Sequence, residues 1–362
     1  MTRLLVVDDS ALMRRLLVGI FSAQPDFSVE IARNGEEAIA KLHAFSPDVI
    51  TLDIHMPGMD GLACLDRIMI EKPTPVVMVS ALTEQGAEAT LEALMLGAVD
   101  FIPKPDGAIS LEIDTISDDL VSKVRHAAQA RLSKAARLTE RVRRRTGART
   151  TRLARTAGQP SASWTKPYHD AAGLVLVGTS TGGPAALEKL LIPLPAAFPW
   201  PILIAQHMPA TFTGALARRL DGICAIGVVE VSAPVRLEAG CAYIGRGDAD
   251  MIVSRRPTGL FAMAAPLDPG HRWHPSVDRL VNSALSASVP QHLAGVLMTG
   301  MGDDGAEAMA KLREGGGLTI AEAEETAAVW GMPGSLVRMG GATLVAPVTG
   351  IAQHLIELVG AS

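Results

Sequence analysis

Residues 173–190 read GLVLVGTSTGGPAALEKL, an apolar run that meets a glycine-rich bend and then a helix-like stretch. The run is short and bounded by glycine, so it reads as a buried strand. Gly182–Gly183–Pro184 opens the helix immediately behind Ser180. Strand, bend and helix in this order form the rhythm of an α/β fold, and the rest of the chain repeats it. The bend itself permits two chemistries. Gly178 to Gly182 fit a G-x-S-x-G nucleophile elbow, in which small neighbours let the Ser180 hydroxyl stand exposed. The same helix N-terminus can instead hold a phosphate through its free N–H groups. GTSTGGPA lacks the G-K-[ST] ending of a P-loop, and no regular G-x-G-x-x-G is present.

Further strand candidates follow in the second half at 200–207, 241–245, 292–300, 318–323 and 342–347. They predict a mostly parallel sheet with its working groups at the strand ends. A serine hydroxyl needs a base near neutral pH. Of nine histidines, only His207 ends an apolar strand, in ILIAQHMP, and so faces the same rim as Ser180. The base in turn needs a carboxylate to orient it. LMTGMGDDG offers Asp303 and Asp304, HPSVD offers Asp278, and this pattern does not separate the three. His271 and His274, three apart, raise metal-assisted hydrolysis as a rival, although no Glu-bearing helix accompanies them.

The first half carries strand candidates at 4–9, 48–53, 76–81 and 99–104, alternating with helical patterns such as GEEAIAKLHAF. Their ends bear Asp8–Asp9, Asp53, Ser80 and Lys104. Clustered carboxylates repel one another, and a hard cation such as Mg2+ with oxygen ligands relieves that repulsion. A carboxylate held between such a cation and the Lys104 ammonium is a phosphoryl acceptor, with the Ser80 hydroxyl placed to bond a phosphoryl oxygen.

The whole is predicted as α/β, with two doubly wound, mostly parallel-sheet domains at 1–122 and 171–362 joined by a basic linker at 123–170. A chain of 362 residues with 48% hydrophobic content has the length and apolar mass for two cores. Residues 123–155 hold 12 Lys or Arg against Glu140 alone, leaving 21 basic and 37 acidic residues elsewhere. The spacing permits helix over 118–146, after which Gly, Pro and Ser mark a flexible linker. The run RVRRR invites a nucleic-acid reading, but no helix-turn-helix or aromatic platform accompanies it, and no nucleic acid is expected. Three cysteines without metal-ligand spacing fit a reducing compartment. The opening MTRLLVVDD is too short and too acidic for a signal sequence, and no apolar run reaches 18 residues. A cytoplasmic protein without membrane insertion is expected.

Two resemblances carry these readings further. VDDS, LDIHMPGMDGL, VMVSA and DFIPKP make residues 1 to about 122 similar to the response-regulator receiver domain. That resemblance implies phosphorylation of Asp53 by a histidine kinase, with Mg2+ held by Asp8, Asp9, Asp53 and the backbone carbonyl of His55. It implies switch roles for Ser80, Lys104 and Phe101, the last an aromatic whose position reports phosphorylation. It also implies a cis Lys104–Pro105 bond. GTSTGGP, QHMP, HPSVD, TGMGDDG and WGMP resemble the catalytic domain of the chemotaxis protein-glutamate methylesterase family. This second resemblance implies Ser180 as nucleophile, His207 as base and Asp304 as orienting acid, since the family's acid directly precedes the helix-opening glycine. It places the Met301 N–H in the oxyanion hole and Thr181 in the site lining, with no cofactor for the ester chemistry. The implied substrates are methylated chemoreceptors, whose glutamyl methyl esters are hydrolysed and whose glutamines are deamidated, under phosphorylation control. The competing expectation is a phosphorylation-switched binding protein with an inactive hydrolase domain.

Overall fold

The computed structural model describes residues 1–81, 83–104, 113–130 and 173–360. Five strands form the first sheet: β1 (Thr2–Val7), β2 (Phe27–Ala32), β3 (Val49–Asp53), β4 (Val76–Ser80) and β5 (Asp100–Pro103). Their order is β2-β1-β3-β4-β5, and every pairing is parallel. β3 and β4 are buried along their whole length, as their continuous apolar runs require when helices cover both faces. β2 escaped the sequence reading because it is an edge strand with half-buried Ser28 and Glu30 between its buried ends.

Side-chain caps begin the helices of this half. Ser10, Asn34, Asp60 and Thr83 each accept from a backbone N–H of the first turn. The helix Ile113–Ala127 runs past the expected boundary at 122, so Lys123 and Arg125 sit on it, and Arg125 pairs with Asp26 at 2.8 Å. Pro105, and with it the expected cis bond, lies outside the described residues, as does most of the basic linker.

The second sheet has seven parallel strands in the order β15-β14-β13-β6-β7-β10-β8. These are β6 (Leu174–Thr179), β7 (Ile202–Gln206), β8 (Gly227–Val231), β10 (Cys241–Gly245), β13 (Leu293–Leu297), β14 (Leu318–Glu322) and β15 (Leu344–Ala346). A separate antiparallel sheet of β9 (Val235–Arg236), β11 (Asp250–Arg256) and β12 (Gly259–Ala265) was not foreseen. β9 has two residues and β11 mixes Met251–Val253 with Asp250, Ser254, Arg255 and Arg256, while the apolar run of β12, in which Ala262 alone is fully buried, was passed over.

The two halves pack on each other. Helix Glu84–Leu96 lies against helices Ala210–Ile223 and Gly183–Leu191, and one apolar cluster continues across the boundary. At its edge the rings of Phe101 and Phe212 meet at 4.3 Å between centroids, tilted by 38°. An aromatic pair of this geometry adds about 0.5–1.5 kcal/mol beyond the area it buries.

Candidate active site

From β6 the sheet extends one way to β7 and the other way to β13. In open α/β sheets such a divergence leaves a crevice beyond the carboxyl ends of the strands. Three loops enter it. Ser180 leaves β6, His207 leaves β7, and Thr299 to Asp304 follow β13. Backbone bonds tie the three together: Ser180 N donates to Thr299 O at 2.9 Å, and His207 N donates to Thr179 O at 3.0 Å.

His207 Nε2 lies 2.8 Å from Asp304 Oδ2, and both side chains are almost fully buried. The opposite nitrogen, His207 Nδ1, is buried without a hydrogen-bond partner among the described residues. With the proton on Nε2, Nδ1 presents a lone pair on the side away from Asp304. No hydrogen bond therefore joins His207 Nδ1 to Ser180 in this arrangement of the chain. The Trp273 ring lies parallel to the His207 ring, 8° apart in plane and 6.0 Å between centroids.

Asp304 is distinguished from its rivals by what reaches it. Helix Val277–Ala287 directs its first backbone N–H groups at the carboxylate, Val277 N at 2.7 Å and Asp278 N at 3.0 Å, and Ser276 Oγ adds a bond at 3.1 Å. Burial works to raise the Asp304 carboxyl. The hydrogen bond and charge of His207, with the two N–H groups, overcome it and hold the group below its ordinary range. Asp303 is exposed. Asp278 accepts from Ala308 N at 3.0 Å and so caps the helix Ala306–Glu314, while burial pushes its carboxyl up.

His274, half of the rival metal pair, is taken by Asp250, with Nδ1 at 2.8 Å from Oδ1. Asp250 also accepts from Ser276 N at 2.7 Å and Arg279 Nη1 at 2.5 Å. It thereby anchors the helix end that holds Asp304. His271, Asp278 and Asp304 do bring ligand atoms within 4.8 Å of one another. Both oxygens of Asp304 and Oδ1 of Asp278 are already occupied by the donors just described.

Met301 is buried in the loop after β13, between Gly300 and Gly302. Gly302 has φ +78°, and a Cβ there would stand 2.6 Å from Trp273 Cη2. A Cβ on Gly300 would stand 2.7 Å from that of Ser180. Only glycine fits at either place, which keeps this loop pressed against the serine. Thr181 is buried. Its hydroxyl donates to Asp100 Oδ2 of the first half at 2.5 Å.

The other cluster sits at the ends of β1, β3, β4 and β5. Lys104 Nζ lies 2.7 Å from Asp53 Oδ2 and 3.4 Å from Asp8 Oδ2. Among the described residues neither buried oxygen receives an aligned hydrogen bond, which leaves lone pairs for a further cation. Asp8, Asp9 and Asp53 each place an oxygen within 4.8 Å of the others, so the donor set suits a hard divalent ion. Burial and the charge of Asp53 push the Asp8 carboxyl up against the pull of Lys104. Burial works to lower the Lys104 ammonium, but the two carboxylates outweigh it and hold the ammonium above its ordinary value. His55 N donates to Asp53 Oδ1 at 3.2 Å. The Ser80 hydroxyl turns toward the following helix and donates to Gly86 O at 3.2 Å.

Sequence reasoning passed over Asp100, Gln206, Asp250, Ser276 and Trp273. Gln206 stood beside His207 in the quoted QHMP, and Ser276 lay in HPSVD. Nothing in the sequence connected Asp100 with Thr181 across 81 positions.

Comparison with known proteins gives the family of each half. Residues 175–355 match the family model for CheB methylesterase, and residues 4–112 match that for the response regulator receiver domain. The chain is 58% identical to protein-glutamate methylesterase/protein-glutamine glutaminase 2 of Rhodopseudomonas palustris, over 99% of this chain and 98% of that protein. It is 53% identical to protein-glutamate methylesterase/protein-glutamine glutaminase 3 of Rhodospirillum rubrum, over 98% and 95%. The crystal structure of the Thermotoga maritima CheB methylesterase catalytic domain aligns with a TM-score of 0.50 at 36% identity, covering 51% of this chain and 98% of that one. The chain therefore belongs to the protein-glutamate methylesterase/protein-glutamine glutaminase family, with a CheB methylesterase domain joined to a response-regulator receiver.

Proposed function

We propose that this chain hydrolyses glutamyl methyl esters on chemoreceptors and deamidates their glutamines, and that phosphorylation of its receiver raises the rate. The names of its relatives support the activity. The observation that carries the mechanism is His207, bound to Asp304 through one nitrogen and holding the other free and buried. Ser180 Oγ attacks the ester carbonyl as His207 Nδ1 takes its proton, and Asp304 stabilises the imidazolium that forms. The oxyanion draws on the N–H of Met301. The proton returns to the leaving methoxide, methanol departs, and water hydrolyses the acyl-serine by the reverse proton path. An amide substrate releases ammonia by the same sequence.

Control rests on the closed arrangement. Thr181, next to the nucleophile, is bonded to receiver Asp100, and receiver Phe101 packs on Phe212. In this state the receiver holds the site shut and the Ser180–His207 bond is unmade. Asp53 accepts the phosphoryl group, with Lys104 and Ser80 as its polar neighbours. Asp8, Asp9, Asp53 and the His55 carbonyl would hold Mg2+, which supplies charge neutralisation there. Phosphorylation favours an arrangement in which Phe101 and Asp100 release the catalytic domain. The phosphodonor is a histidine kinase of the same signalling array.

The test is methanol release from methylated receptor membranes, with and without a small-molecule phosphodonor and Mg2+. Wild type is expected to respond, and Asp53→Ala is expected to keep only its basal rate. A full response in Asp53→Ala would overturn the control scheme.

A further inference from the structure

Gln206 precedes His207 on β7 and is 1% exposed. Its amide nitrogen lies 3.0 Å from the carbonyl oxygen of Ser180 and 3.1 Å from the carbonyl oxygen of His207. An amide carries two N–H donors on that nitrogen, so each carbonyl receives one. The opposite amide orientation would set an oxygen against two carbonyl oxygens, which fixes the assignment chemically. The remaining atom, Gln206 Oε1, is buried without a partner among the described residues. A buried acceptor left unpaired destabilises the fold. Whatever this glutamine contributes here comes from its two donors.

What they do is join the two reacting residues. Ser180 and His207 come from different strands, and register alone links them through Thr179 opposite Gln206. His207 N already bonds Thr179 O, and Gly183 N already bonds Ser180 O. Gln206 closes the remaining gap by binding both carbonyls at once. Gly183 is matched to it, because a Cβ there would collide with the glutamine side chain.

We infer that Gln206 is a positioning residue that clamps the backbones of the nucleophile and the base in mutual register. It touches neither the substrate nor the reacting atoms. The inference rests on the proposed roles of Ser180 and His207. Removing the clamp leaves both reacting side chains in place but loosens their relative position. A misplacement of about 1 Å in a catalytic pair costs about 10²-fold in rate.

The experiment uses the full chain with phosphodonor and Mg2+, and follows two readouts. One is labelling of Ser180 by a serine-directed fluorophosphonate, located by peptide mass spectrometry. The other is kcat and KM for methanol release. Gln206→Met keeps the side chain's length and apolar volume but has no donor, and Gln206→Asn keeps the donors but cannot span both carbonyls. Both variants are expected to fall about 10²-fold in kcat and in labelling rate, with KM unchanged. Thermal unfolding reports folding separately, and if Gln206→Met does not fold, Gln206→Asn decides. A folded variant that labels and turns over at the wild-type rate overturns the clamp. A wild-type enzyme left unlabelled at Ser180 instead overturns the underlying mechanism.

Discussion

The Thr181 hydroxyl donates to the Asp100 carboxylate at 2.5 Å, joining the residue after Ser180 to the residue before Phe101 on the receiver. Both groups are buried, so the bond forms away from competing water. Hydrogen bonds to a charged acceptor contribute about 1.5–3 kcal/mol, enough to shift a closed–open equilibrium about tenfold to a hundredfold. Asp100→Ala is expected to raise basal methanol release by at least about tenfold without phosphodonor, while the phosphorylated rate stays as in wild type. An unchanged basal rate would remove this bond from the control of the enzyme.

The acidic cluster gives a prediction in stability. Asp8 is raised by burial and by Asp53, so the folded state holds its proton to higher pH than the unfolded chain does. Stability from this group therefore falls as pH rises from its ordinary value of 3.8 through the raised one. Asp8→Asn is expected to remove that fall and to raise the Mg2+-free Tm at neutral pH. The same change is expected to abolish the rise in Tm on adding Mg2+. Tm measured against pH, with and without Mg2+, checks both.

Asp304 has the opposite sign. Its folded value lies below the ordinary 3.8, so its contribution is present above that value and is lost as pH falls through the depressed one. Asp304→Asn is expected to flatten this acid-side loss in thermal unfolding. By analogy with other triads, it is expected to lower kcat by about 10⁴-fold. A kcat within tenfold of wild type would deny Asp304 its orienting role.

Gly302 tests the loop after β13. Alanine there meets Trp273 and adopts a left-handed φ at about 1–2 kcal/mol. Gly302→Ala is expected to lower kcat through displacement of the Met301 N–H, with a KM change under about threefold, as for a group that acts in the transition state. A loss confined to KM would place this loop in substrate binding.

Much of the architecture was legible because parallel strands buried on both faces write themselves as unbroken apolar runs, as β3, β4 and β6 do. Their ends then exposed Ser180, His207 and the Asp53 cluster, since a polar residue closing such a run has one rim to occupy. Edge strand β2, the two-residue β9 and the charged β11 gave no such run, and β12 has an apolar run that is mostly half-buried and was passed over. Asp304 against Asp303 could not be resolved locally either. The choice depends on the N-terminus of helix Val277–Ala287, which arrives from 27 positions away. Asp250 and Trp273 were invisible for the same reason, because their roles arise from side chains brought together by tertiary contacts.

The most direct measurement is methanol release from methylated chemoreceptor membranes by the phosphorylated full-length chain and by its Ser180→Ala variant under identical conditions. The account predicts steady release by the wild type and only the uncatalysed background from the variant. Release by Ser180→Ala at the wild-type rate would contradict it.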